Sequence, residues 1–188
     1  MSLGTLTWSP AVEHLDLLAA TTAAAVTTWA AADPEVATGL VVTAIDPELA
    51  DTAALTEAYG LPLSGSGNCV LVAGRREGQE RIAAAVVRAT TRADVNNAVK
   101  RLLDVRKASF LPMERAVTDS GMEYGGITPV GLPADYRVLI DSRVVAPNPE
   151  TEDLVIIGSG LRRSKLALPG TLLARLPGAE VIEGLALS

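Results

Sequence analysis

Apolar positions along the chain follow three-and-four spacing in some stretches and form short continuous runs in others, so both helices and buried strands are predicted. Residues 9–32 read as a helix, with Ser9 as its cap, Pro10 at the first helical position and Val12, Leu15, Leu18 and Ala19 on one face. Residues 40–45 are strand-like, Asp46-Pro47 breaks them, and helical spacing resumes over 51–59 until Gly60 ends it. The run CVLVA at 69–73 and the apolar run 82–89 flank the polar turn 75–80 and are predicted as paired buried strands. Helices follow at 94–103, with Thr91 or Asp94 near the start, and at 112–119. Beyond Gly121, glycine and proline punctuate the chain; strands are expected at 137–141, 153–157 and, more briefly, 165–168, then a helix at 170–175. The fold class is therefore α+β, with helices and strands mixed, and 188 residues suit a single domain, 1–188.

Composition narrows this picture. Hydrophobic residues make up 48% of the chain but aromatics only 3%, so the core must be built from Ala, Val, Leu and Ile, and a disordered chain is excluded. No apolar run approaches the roughly 20 residues a bilayer needs, and no basic-then-apolar leader is present, so a cytoplasmic protein without a membrane partner is expected. A lone cysteine, Cys69, and a lone histidine, His14, exclude disulfide and zinc scaffolds, and neither a metal nor another cofactor is expected. Cys69 with His14 as base would make a nucleophile only if the fold joined distant segments; a small buried apolar role is the simpler reading.

Charge is unevenly spread. Residues 1–74 hold eight acids and no cation, so all 16 Lys and Arg fall later, although the net charge is -6. Any polyanion should meet the later part. Arg75-Arg76, Lys100-Arg101, Arg106-Lys107 and Arg162-Arg163 with Lys165 could contact phosphates if the fold gathers them; otherwise they form a solvated surface.

Two segments carry candidate chemistry. In GMEYGGITPVGLP, residues 121–133, four glycines and two prolines crowd thirteen positions, which fixes backbone shape and can aim N–H groups at a carbonyl or phosphate oxygen. A structural turn is the alternative. In IIGSGLRRSK, residues 156–165, a strand runs into Gly158-Ser159-Gly160 and then three cations, an anion cradle or else a basic hairpin. Neither GxxxxGK[ST] nor GxGxxG after a strand is present, so ATPase and dehydrogenase readings lack support. Asp141 closes the strand 137–141 and would bring a carboxylate beside the glycine loop, or act as an edge-strand acid or cap.

The order of these segments, from CVLVA through Asp94, GMEYGGITPVG, Leu139-Ile140-Asp141 and IIGSGLRR to LPGAEVIEGLA, resembles the YbaK/EbsC family, free-standing relatives of the prolyl-tRNA synthetase editing domain. The likeness spans roughly 55–186, with a weaker match over 1–54. It implies a mixed, barrel-like sheet surrounded by helices, and hydrolysis of the ester of mischarged tRNA carrying a small amino acid. The implied partner is the aminoacyl-tRNA acceptor end, not DNA. In the family's GxxxP loop, matched by Gly125, Gly126, Ile127, Thr128 and Pro129, the backbone faces the aminoacyl group and terminal adenosine. Gly121 and Gly131 match the flanking glycines, Asp141 the pocket aspartate, Asp94 the acid that opens the central helix, and Gly158, Ser159 and Gly160 the turn ahead of a basic residue, Arg162.

One position departs from the family. Members usually carry a lysine at the start of the strand, where this chain has Asn68. Asn68 can donate a hydrogen bond without a charge; Lys165 or Arg162 could supply the cation from the other side of the pocket, or the pocket could bind without hydrolysing.

Overall fold

The computed structural model describes residues 2–188. Its first half holds strands β1 (Ser9–Pro10) and β2 (Val41–Ala44), helices α1 (Ala20–Ala32), α2 (Pro34–Gly39) and α3 (Thr52–Tyr59), and the hairpin strands β3 (Gly67–Arg76) and β4 (Gln79–Arg88). There follow a π-helical turn (Val95–Val99) running into α4 (Lys100–Leu103), β5 (Ala108–Phe110), α5 (Met113–Ser120), β6 (Arg137–Asp141) and α6 (Ser142–Val145). β7 (Leu154–Gly158), β8 (Ser164–Pro169), α7 (Gly170–Leu173) and β9 (Ala179–Ile182) complete the main elements.

These strands form two sheets, ordered β7-β8-β2-β1 and β9-β6-β4-β3-β5. The first is antiparallel; in the second β6 lies parallel to both β4 and β9. Ser66, just before β3, makes a parallel bridge to Ile156 on β7 and so ties the sheets together. The sheets stay open, so the expected barrel-like closure is not found. The mixed α+β class holds.

Sequence pattern explains most elements. In β4, Ala83, Ala84, Ala85 and Val86 are all fully buried, as a strand covered on both faces requires. The β3–β4 hairpin is in continuous register from Gly67↔Arg88 to Arg76↔Gln79. Asp94 caps the helical segment after it by accepting from the Asn97 N–H at 3.1 Å. Gly60 and Gly121 end α3 and α5 in the left-handed conformation.

The N-terminal expectation needs correction. No helix runs over 9–32: Ser9 and Pro10 pair with Val42 and Val41, two short 3-10 turns follow, and α1 begins only at Ala20. Pro10 forfeits no ladder donor on this edge strand, and Ala11 N–H bonds Leu40 O at 2.9 Å. Leu18 is buried here through turns that pack on the core cluster of Val26, Trp29 and Leu166, a placement that also satisfies the apolar spacing. Helix α2 and strand β9 were not foreseen. Among the described residues no helix is long and apolar enough to cross a membrane.

Candidate functional site

The start of β3 and the end of β7 run side by side where the sheets meet. Gly67 lies against Val155 and Ile157, and α3 and the 121–133 loop close the opening, leaving a cavity of about 310 Å³. Leu55, Ile127, Ile156 and Ile157 supply apolar wall; Thr52, Ser66, Asn68 and Lys165 supply polar groups, and exposed Tyr124 stands on the wall.

Lys165 sits on β8, which pairs with the cavity-lining strand β7 at Gly158. It is only 7% exposed, and its Nζ donates to the Ala50 carbonyl at 2.8 Å. Burial lowers its pKa to about 8, against the pull of Asp51 and with the push of Arg162. The cavity thus holds a partly desolvated ammonium with donor capacity to spare. Across it, Thr52 Oγ1 donates to Asn68 Oδ1 at 2.9 Å, which leaves the Asn68 amide nitrogen as the free, donating end.

The glycine loop gives two of its amides to its own fold. Gly126 N–H donates to Glu123 O at 2.9 Å and Thr128 N–H to Met122 Sδ at 3.5 Å. Gly125 and Ile127 line the cavity, and among the described residues no acceptor takes their N–H groups. Gly158 holds this arrangement: a Cβ there would stand 2.6 Å from the Ile127 carbonyl oxygen, and against that of Gly126, so only glycine lets β7 approach the loop. Gly160 N–H then bonds Gly126 O at 2.8 Å.

Six of the residues singled out from the sequence therefore share the cavity: Asn68, Cys69, Gly125, Ile127, Gly158 and Lys165. Arg162 lies at its edge, packed on Gly125, 4.0 Å from Asp51 and donating to Pro47 O and Tyr124 O at 3.0 and 3.3 Å. Gly126, Thr128, Ser159 and Gly160 stand behind the lining. Gly126 packs on the Leu161 backbone, and Ser159 Oγ exchanges hydrogen bonds with Ser164. Gly121 caps α5, and Pro129 and Gly131 face a different hollow beside Trp29.

Asp141 is not brought to the cavity. It is fully buried, accepting from Arg143 N–H at 3.0 Å, Arg143 Nε at 2.8 Å and Ala186 N–H at 2.8 Å. Burial alone would raise its pKa; the Arg143 side chain and the two backbone donors outweigh it and lower the net value. Here Asp141 is a cap that pins the last strand pair. Cys69 touches the cavity, but burial raises its pKa to about 12, which leaves a thiol rather than a nucleophilic thiolate.

Thr52, Leu55 and Ser66 were missed in the sequence. Helix α3 was legible, yet nothing local says that it faces a strand 100 residues later in the chain. The Gly65-Ser66-Gly67 stretch just ahead of Asn68 is the available signal.

A family model described as the aminoacyl-tRNA editing domain matches residues 46–176, the stretch that builds this cavity. The chain belongs to the aminoacyl-tRNA editing domain family. Two solved structures share its fold. The protein APE2540 superposes with a TM-score of 0.71 at 18% identity, over 87% of this chain and 99% of that one. A candidate trans-editing enzyme for prolyl-tRNA synthetase superposes with a TM-score of 0.69 at 18% identity, over 91% of this chain and 99% of that one. No curated protein matches the chain. Within the editing-domain frame, the position at the start of β3 is Asn68, and the cavity's lysine stands instead on β8.

Proposed function

We propose that the cavity takes the aminoacyl end of a mischarged tRNA carrying a small amino acid and hydrolyses its ester. The observation that carries this reading is that Gly125 and Ile127, whose amides have no acceptor among the described residues, line one small cavity together with Lys165.

The N–H groups of Gly125 and Ile127 polarise the ester carbonyl and take up charge on its oxygen as a water oxygen adds to the carbonyl carbon. The tetrahedral species collapses, the carbon–oxygen bond to the ribose breaks, and the ribose oxygen leaves as a hydroxyl with the proton given up by the attacking water. Donors fixed in place before the reaction need no reorganisation as charge develops, and removing one such donor typically costs ~10²–10³ in rate. Lys165 supplies the cation that Asn68 lacks, holding a phosphate or carbonyl oxygen of the substrate, and Asn68 adds a neutral donor through its amide nitrogen. The apolar wall of Leu55, Ile156 and Ile157 sets amino-acid size. With the nucleophile a water, Cys69 has no part.

Deacylation of tRNAs charged with Ala, Ser, Cys or Pro, compared among the natural chain, Lys165→Met and Asn68→Lys, tests the proposal. Hydrolysis of at least one ester well above the uncatalysed rate, lost in Lys165→Met, is expected. If only Asn68→Lys is active, the natural chain is a binding module on the editing fold.

A further inference from the structure

The cavity sits at the first residues of β3, whereas cations collect at its other end. Arg75 and Arg76 close β3, and β5 runs antiparallel beside them with Gly74 opposite Ala108, so Arg106 and Lys107 follow directly on the neighbouring strand's approach. A Cβ on Gly74 would meet the Lys107 carbonyl oxygen at 2.6 Å, which shows how closely that segment lies on the hairpin. Asp104, at the end of α4, pairs with both Arg76 and Arg81, while Glu77 pairs with Arg76 and Glu80 with Arg75, so the hairpin's own guanidiniums have carboxylate partners. Among the described residues Lys100, Arg101, Arg106 and Lys107 lie within 4.0 Å of no carboxylate, and all but Lys100 are exposed. The chain as a whole is acidic, at -6, and its first 74 residues contain no cation, so this excess is local.

We propose that this basic end of the β3–β4 hairpin, with α4 and the turn before β5, binds the phosphate backbone of the RNA whose charged end enters the cavity. The inference rests on the editing reading above and adds a second, separate contact surface. Seven residues of extended strand separate Asn68 from Arg75, roughly 23 Å. An RNA whose charged end lies in the cavity and which runs along the hairpin therefore brings its backbone phosphates past the basic surface over that distance. Unpaired, exposed Arg and Lys give sequence-independent attraction with steep salt dependence. The acidic N-terminal part repels the same backbone and so favours one orientation.

The test is binding of uncharged tRNA by fluorescence anisotropy across a salt series, for the natural chain and for the triple variant Arg101→Gln, Arg106→Gln, Lys107→Gln. The expected result is binding weakened at least tenfold, with the slope of log K against log salt reduced by about 2–3, near 0.9 per lost phosphate contact. If the triple variant does not fold, Lys107→Gln alone should reduce the slope by about 1. Hydrolysis of a short aminoacyl-adenosine, which cannot reach the hairpin tip, should be unchanged in the variant. Equal affinity and slope for tRNA in variant and natural chain would overturn the proposal, including the case in which the variant loses only binding to phosphatidylserine vesicles. Should the natural chain hydrolyse neither charged tRNA nor aminoacyl-adenosine, the editing reading fails, and the salt series still decides the RNA contact.

Discussion

Lys165 Nζ donates to the Ala50 carbonyl oxygen at 2.8 Å, which fixes the cavity's ammonium by a backbone oxygen just before α3 rather than by a carboxylate. A neutral anchor leaves the positive charge available to a ligand. Replacing the lysine with Met removes that charge and keeps the apolar stem that packs in the sheet. Lys165→Met should lower kcat/KM for aminoacyl-tRNA by ~10²-fold, the scale of one lost electrostatic contact, while circular dichroism stays native.

Burial of the same lysine ties activity and stability to pH. With its pKa lowered to about 8, Lys165 loses its proton as pH rises through that value, so kcat/KM above the uncatalysed background should fall there. Stability moves the other way. The unfolded lysine, at about 10.4, binds more protons than the folded one between that value and about 8, so stability rises with pH across this window. Urea midpoints measured at pH 7 and pH 9.5 should show this rise in the natural chain and not in Lys165→Met, which should also be the more stable at pH 7.

Asp141→Asn separates support from chemistry. The carboxylate accepts from Arg143 and from the Ala186 N–H, and an amide cannot accept at both ends, so one donor is left facing an NH₂ group. A loss of about 1–3 kcal/mol in stability is expected, with kcat/KM of the folded fraction unchanged. Since the folded pKa of Asp141 lies below the ordinary value, its contribution is present at neutral pH and fades as pH falls through that lowered value. Chemical denaturation at pH 7 together with initial rates distinguishes this from a catalytic role, in which rate would fall and stability would not.

Much of the fold was legible because its signals are local. The β3–β4 hairpin announces itself by two apolar runs around a charged turn, Gly60 and Gly121 mark helix ends, and Asp94 marks a helix start. The N-terminal segment misled because Val12, Leu15 and Leu18 pack on the core from two 3-10 turns with the same spacing a helix would show. In the site, Gly125, Ile127, Gly158 and Lys165 were reachable from motif chemistry. Thr52, Leu55 and Ser66 were not, since their presence depends on how α3 and the sheet seam come together. Asp141 is expected beside the glycine loop both from its place at the end of a strand and from the resemblance, and here its carboxylate is consumed by Arg143 and Ala186.

Glycine substitutions probe the loop itself. In Gly158→Ala the new methyl meets the carbonyl oxygens of Gly126 and Ile127, so the loop must retreat and carry the Gly125 and Ile127 amides with it. The expected outcome is a fall in kcat of more than tenfold together with a lowered Tm. Gly126→Val is also expected to lower Tm, because a Cβ there meets the Leu161 backbone at 2.7 Å and the branched side chain adds to that clash.

In the proposed reading, hydrolysis of aminoacyl esters in the cavity depends on the lysine on β8, Lys165. Single-turnover deacylation of Ala-, Ser-, Cys- and Pro-tRNA by the natural chain, Lys165→Met and the rescue pair Lys165→Met with Asn68→Lys tests it most directly. Activity in the natural chain, loss in Lys165→Met and partial recovery in the pair are expected. Full activity in Lys165→Met would contradict the proposed role of Lys165.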